Sequence, residues 1–148
     1  MPVCRAEGGL AVVNFVILVF VGGSFGAMLR ELIMLMVPNL ADSFPLDILV
    51  ANIVAAFLLG LVTALHRSEV VSDDVNMLVG TGITGGMSTF SSFVYGGVVL
   101  MQASMARAVV ASVYVVVSLV FGYIAIIVGE KLGGHARRQR DAASETVP

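Results

Sequence analysis

Charged side chains are scarce in this 148-residue chain, where Asp, Glu, Lys and Arg make up only 12% of the residues. Soluble domains carry roughly 25%. Hydrophobic residues account for 58%, and the mean hydropathy is +1.00. Such a small number of charged side chains cannot cover the surface of a soluble core, which excludes a soluble globular protein. A chain with this large an apolar fraction does not remain unfolded in water, which excludes a disordered chain. The net charge of −2 also excludes a nucleic-acid binder.

Cysteine and histidine are nearly absent. The single cysteine, Cys4, excludes a disulfide framework and a cysteine-rich metal site. His66 and His135 have no partner at metal-ligand spacing, and no nucleophile, acid or base pattern of a catalytic site is visible. We therefore expect that the chain is not an enzyme.

Long uncharged runs are abundant instead. A helix needs about 20 apolar residues to cross the ~30 Å hydrocarbon core of a bilayer, and only helices or closed barrels satisfy their backbone there. The sequence therefore predicts an all-α integral membrane protein with a single four-helix transmembrane domain over residues 1–130. The helices are predicted near residues 10–37, 46–65, 75–101 and 107–129. For residues 131–148 we expect a polar, disordered C-terminal tail.

The third predicted helix contains a stretch rich in small and hydroxyl residues. Residues 80–93 read GTGITGGMSTFSSF, with four Gly and six Ser or Thr among fourteen residues. Glycine tolerates non-helical dihedrals, so the helix is expected to break near its middle and to expose carbonyls to a cation or hydroxyls to an anion. The alternative is close helix packing through small residues.

Polar residues also lie inside the other predicted helices. Asn52 either forms an interhelical hydrogen bond or offers its amide to a ligand. Arg30 either snorkels to the membrane surface or places a fixed positive charge in an anion vestibule. Tyr114 and Ser118 are four residues apart, so their hydroxyls share one helix face. The composition alone leaves these alternatives open.

Two motifs resemble those of the Fluc (CrcB) fluoride channel family. Residues 22–30, GGSFGAMLR, resemble its GGxxGAxxR signature, and residues 82–93, GITGGMSTFSSF, resemble its GxxGGxTTFSTF element. Asn52 matches the family's second-helix Asn. The resemblance runs from about residue 20 to residue 129 in matching order and spacing.

The resemblance implies a fold and a set of functional residues. The fold is an antiparallel dual-topology dimer with two fluoride pores and a structural Na⁺ at its centre. The pore residues that match by position are Phe90, Phe93, Asn52, Tyr114 and Ser118, and the vestibule residue is Arg30. The backbone carbonyls of Gly85 and Ser88 match those that hold the Na⁺.

The chain departs from the family pattern at a few positions. Ala55 replaces a small Gly, and Ser88 replaces the first Thr of the TTF triplet, so size or carbonyl chemistry is kept. Gly96 stands where many members have Glu, and Gly122 stands where a hydroxyl can occur. These last two changes bear on conduction rate.

The implied function is passive, fluoride-selective export across the inner (plasma) membrane by a multi-pass protein. The alternatives are a non-conducting subunit of a heterodimeric fluoride channel and a small dual-topology exporter. An exporter would need a carboxylate in a central helix, and none lies in residues 48–65 or 75–106. Basic residues are more numerous on the side of the termini, which favours one insertion direction. The partner is then a minority copy of opposite orientation or an oppositely inserted paralogue.

Overall fold

The described part of the chain is entirely helical. The computed structural model describes residues 3–37, 44–103 and 105–145, and none of these residues lies in a β-strand. The α-helices are α1 (Val3–Met36), α2 (Leu46–Arg67), α3 (Asp73–Val75), α4 (Thr84–Met87), α5 (Phe90–Ala103) and α6 (Met105–Glu145), with a π-helical segment (Asn76–Ile83) between α3 and α4. The predicted all-α fold class is confirmed for these residues.

Three helices in the described residues are long and apolar enough to cross a membrane. They are Ala11–Met36 within α1, the whole of α2, and Arg107–His135 within α6. Most of their apolar side chains face outward, as they do at Phe20, Met28 and Leu119, which are 73%, 69% and 65% exposed. Such large apolar surfaces need a non-aqueous environment, so these helices agree with a membrane protein.

The region predicted as a third helix near residues 75–101 consists of two parts. The first part, called here the upstream segment, runs from Asp73 to Met87 and comprises α3, the π-helical segment and α4. The second part is α5, which begins at Phe90. Each part is shorter than the ~20 residues that a crossing needs, whereas the two together exceed it.

Glycines let α1 approach the upstream segment closely. A Cβ on Gly22 would lie 2.9 Å from the Cα of Gly82, and one on Gly26 would lie 2.8 Å from the carbonyl carbon of Ile83. A Cβ on Gly86 would likewise lie 2.8 Å from the carbonyl carbon of Gly23. The glycines of both sequence motifs therefore form one packing seam, as the small-residue interpretation predicts.

A second seam joins α2 to α6. A Cβ on Gly60 would lie 3.0 Å from the Cα of Ile126, and one on Gly129 would lie 2.7 Å from the amide nitrogen of Leu61. Further along, Gly133 lies against Ala64. Because residue numbers rise together on both helices, α2 and α6 run parallel. Helix α6 then continues to Glu145, through the region for which the sequence predicts a tail.

Polar contacts join the ends of the helices where α2 stops. The chain leaves α2 with Glu69 at φ 55°, and the amide of Val70 donates to the carbonyl of Leu65 at 3.1 Å, a Schellman-type end. Two side-chain contacts follow, His66 Nε2 to Asp73 Oδ1 at 3.5 Å and the ion pair of Arg67 with Glu130 at 3.6 Å. These contacts hold α2, the upstream segment and α6 in register at this end of the bundle.

Candidate functional site

The chain leaves the helical conformation at Ser88 and Thr89. Ser88 has an extended backbone, with φ −76° and ψ 134°. Thr89 then caps α5, because its hydroxyl accepts from the amide of Ser92 at 3.2 Å. The same hydroxyl lies 3.0 Å from that of Ser91 and 3.3 Å from that of Ser92. The serine and threonine residues of this stretch therefore start a new helix rather than continue the old one.

Asn52 of α2 makes a hydrogen bond with the backbone at the point where the chain leaves the helical conformation. The amide of Thr89 donates to Asn52 Oδ1 at 3.1 Å. A backbone N–H can only donate, so this contact fixes which end of the Asn52 side chain is the oxygen. The Nδ2 group makes no hydrogen bond to the described residues, and its two N–H donors are left for another partner. The interhelical hydrogen bond and a ligand-binding amide are thus compatible functions of one side chain.

Two backbone amides after α4 donate to side chains, so two backbone carbonyls lose the hydrogen bonds of a continuous helix. In a continuous helix the amide of Thr89 would donate to the carbonyl of Gly85, and the amide of Ser92 to that of Ser88. Here these amides donate to Asn52 Oδ1 and to the Thr89 hydroxyl instead. Gly85 and Ser88 are both exposed, and a Cβ on Gly85 would meet nothing within 4 Å. Two uncovered carbonyls on an open surface fit the oxygen chemistry of a hard cation such as Na⁺.

Arg30 reaches the same part of the molecule from α1. Its guanidinium donates to the carbonyl of Gly86 at 3.4 Å, in a partly buried contact. A cation is favourable there because the carbonyls at the end of α4 carry partial negative charge. The side chain is therefore directed to the end of the upstream segment.

Aromatic side chains from three parts of the chain form one cluster. The rings of Phe90 and Phe93 have centroids 6.1 Å apart, and Phe93 lies 5.4 Å from Tyr114 of α6. Phe44 meets Tyr114 edge-on, at 5.4 Å and 87°. Tyr114 is fully buried, whereas Phe90 is 78% exposed. The cluster extends from an enclosed end at Tyr114 to an open end at Phe90.

The polar groups at the enclosed end have no hydrogen-bond partner apart from each other. The hydroxyls of Tyr114 and Ser118 are both buried, they lie close enough to interact with each other, and neither donates to or accepts from any other described residue. A buried hydroxyl without a partner costs about 1–3 kcal/mol, so such groups in a folded protein indicate a missing water or ligand. The structure thus places four of the predicted pore residues around the beginning of α5. They are Asn52 of α2, Phe93 of α5, and Tyr114 and Ser118 of α6.

Sequence reasoning missed three residues of this region. Thr89 could have been found, since threonine is one of the residues preferred at the N-cap of a helix. Phe44 precedes α2 in a connection, where no periodicity marks it. Asp47 is only 9% exposed in the first turn of α2, where the helix dipole favours a carboxylate.

Comparison with known families decides the classification. The family described as "CrcB-like protein, Camphor Resistance (CrcB)" matches residues 17–130, which include α2, the upstream segment, α5 and most of the apolar part of α6. The chain belongs to the CrcB family. The resemblance inferred from the two motifs is thereby confirmed.

Curated relatives of this CrcB chain carry channel names. A Brucella abortus protein named "Fluoride-specific ion channel FluC 1" is 60% identical over 120 residues, or 81% of this chain and 44% of the relative. A Yersinia pseudotuberculosis protein named "Fluoride-specific ion channel FluC 3" is 55% identical over 120 residues, covering 89% of that relative. An Ignicoccus hospitalis protein, "Fluoride-specific ion channel FluC", is 34% identical over 114 residues.

The extent of these matches differs between relatives. The aligned part of the chain spans less than half of the Brucella abortus protein but most of the Yersinia pseudotuberculosis protein. The names of these relatives describe ion channels and not enzymes, which agrees with the absence of a catalytic residue pattern from the sequence. The matched region contains every candidate residue described above, from Arg30 to Ser118.

Proposed function

We propose that this CrcB chain is a passive, fluoride-selective ion channel. The observation that carries the proposal is the pair of buried hydroxyls of Tyr114 and Ser118, which have no partner apart from each other and lie beside Phe93 at the start of α5. Together with the Nδ2 group of Asn52 they supply donors and no positive side-chain charge. The names of the relatives support fluoride as the ion.

The donors suit a small, strongly hydrated anion. Fluoride loses water on entering a pore, so close N–H and O–H groups have to replace that hydration. Phe90 and Phe93 add ring edges, which carry partial positive charge and can contact an anion while their bulk excludes larger ones. Several modest sites in succession allow exit as well as entry. Arg30 adds positive charge on the approach to this path.

Four crossings of the membrane are proposed, with the upstream segment and α5 together forming the third. Residues 73–103 are about 45 Å long at 1.5 Å per residue, enough for ~30 Å of hydrocarbon. The non-helical backbone at Ser88 and Thr89 then lies at membrane depth. Such backbone is stable there only when protein or a polar cavity surrounds it. An inner-membrane, multi-pass location follows from this proposal.

A second subunit in antiparallel orientation completes the proposed channel, giving two pores for each dimer. Thr81, Gly85 and Ser88 are all exposed, so a small, polar stripe would otherwise face lipid. A partner covering this stripe would bring together two sets of uncovered carbonyls. In this proposal Gly85 and Ser88 from each subunit hold a structural Na⁺, which stabilises the dimer centre.

Purified chain reconstituted alone into liposomes tests the proposal. Vesicles loaded with potassium fluoride and treated with a potassium ionophore should release fluoride, whereas matched vesicles loaded with potassium chloride should retain chloride. Release of fluoride without a proton gradient would distinguish a channel from a dual-topology exporter, because the exporter needs coupling to a proton gradient. No release from the chain alone, with release after an oppositely oriented paralogue is added, would instead identify a subunit of a heterodimer. The direction in cells is export, because a negative interior drives anions outward.

A further inference from the structure

An apolar groove lies between α2 and α6, and none of the residues assigned to fluoride lines it. The groove has a volume of about 340 Å³ and is lined only by apolar side chains: Ile53, Val54, Phe57, Phe121, Ile124, Ala125 and Val128. This volume is within the usual range of ligand pockets. Because three of these side chains come from α2 and four from α6, the groove follows the line along which the helices pack.

Basic residues continue the α6 side of the groove toward the end of the bundle. Ile124, Val128, Lys131 and His135 follow one another at spacings of four, three and four residues, so they share one helix face. Lys131 and His135 are both exposed. Lys131 is about 4.5 Å beyond Val128 along the helix axis. The apolar face therefore becomes a basic face within one turn.

This change along α6 occurs level with the end of α2. Gly133 lies against Ala64, one turn before α2 ends at Arg67. The carboxylate near Lys131, that of Glu130, is paired with Arg67 at 3.6 Å, so it leaves the charge of Lys131 uncompensated. The Nδ1 N–H of His135 donates to the carbonyl of Lys131 at 2.7 Å, and this leaves its Nε2 as an acceptor for a second partner.

We propose that the groove and this basic face form a binding site for an anionic phospholipid. One acyl chain lies in the groove between α2 and α6, the phosphate contacts the ammonium group of Lys131, and the rest of the headgroup lies beside His135. The charge complementarity favours an anionic lipid over a zwitterionic one. A basic side chain close to an anionic headgroup strengthens association about fivefold.

The absence of Trp from the chain allows a direct test. The full chain carrying Phe121→Trp is reconstituted in vesicles containing phosphatidylcholine and phosphatidylglycerol, with bromine on the acyl chains of one lipid or the other. Bromine quenches a nearby indole, so the two quenching curves give the relative association of the lipids at the groove. Leu119→Trp is the matched control, since it lies two residues away on a different face of α6 and its native side chain is 65% exposed.

We expect phosphatidylglycerol to associate about fivefold more strongly than phosphatidylcholine at Phe121→Trp and equally at Leu119→Trp. Adding Lys131→Gln and His135→Gln should bring the first ratio close to one. A ratio of one at Phe121→Trp, or a ratio that survives loss of both side chains, would overturn the proposal. So would protection of Phe121→Trp from both lipids, because a second copy of the chain would then occupy the groove. Phe57→Trp, from the α2 side, serves as a second reporter if Phe121→Trp does not fold.

Discussion

Replacing Asn52 with Asp separates the two functions that the structure gives this side chain. A carboxylate still accepts the amide of Thr89, which lies 3.1 Å from Oδ1, so the interruption after Met87 should persist. The substitution removes both N–H donors of Nδ2 and adds a negative charge. At about 4 Å from a fluoride ion and an effective dielectric constant near 20, the repulsion is about 4 kcal/mol. Fluoride efflux should therefore fall on the order of 10³-fold.

The assay is fluoride efflux from proteoliposomes at neutral pH, with thermal unfolding of the same preparation as the control for folding. Asn52→Leu is the matched comparison, because it also removes the acceptor and leaves the amide of Thr89 without a partner, at about 1–3 kcal/mol. We expect Asn52→Asp to keep the unfolding temperature better than Asn52→Leu while both lose efflux. Wild-type efflux in Asn52→Asp would refute the assignment of Asn52 to the fluoride path.

Three further predictions concern the pore rings, the glycine seam and the end of α2. Phe93→Ile and Phe90→Ile should each remove most fluoride efflux while size-exclusion chromatography shows an unchanged oligomer, because the ring edge is lost; normal efflux in both would exclude the ring edges as contacts. Gly26→Ala should lower the free energy of unfolding in denaturant by about 1–3 kcal/mol, because the added Cβ collides with Ile83. Gly97→Ala should leave it unchanged, because its Cβ meets nothing within 4 Å. Equal effects of the two substitutions would contradict the seam. Glu69→Gly should be about 1 kcal/mol more stable than Glu69→Ala in the same measurement, because only glycine adopts φ 55° without strain, and equal stabilities would contradict that strain.

Local composition predicts irregular backbone within residues 80–93, but it does not predict at which residue a helix in this stretch stops. The stopping point depends on Asn52, which is 37 residues away from Thr89 in sequence and meets it only after α2 has packed. The uncovered carbonyl of Gly85 follows from that same long-range contact, whereas that of Ser88 follows from the local cap by Thr89. Propensity describes a residue and its neighbours, so it contains no information about such a partner.

The glycine motifs show a second limit of structure prediction from the sequence. Their spacing alone predicts that small residues line one helix face, and the seam between α1 and the upstream segment confirms close packing there. The spacing does not reveal which element they pack on, nor that Gly85 of the same run stays uncovered. Phe44 is a similar case, since it joins the aromatic cluster from a connection and not from a periodic helix.

Single-channel recording in planar bilayers tests most directly whether the chain alone conducts fluoride passively. The purified chain is inserted between solutions with unequal fluoride, and the reversal potential is measured while chloride and pH are varied independently. We expect a current whose reversal potential equals the fluoride equilibrium potential and does not move with the chloride or proton gradient. Absence of current, or a reversal potential that follows chloride or pH, would contradict a passive fluoride channel.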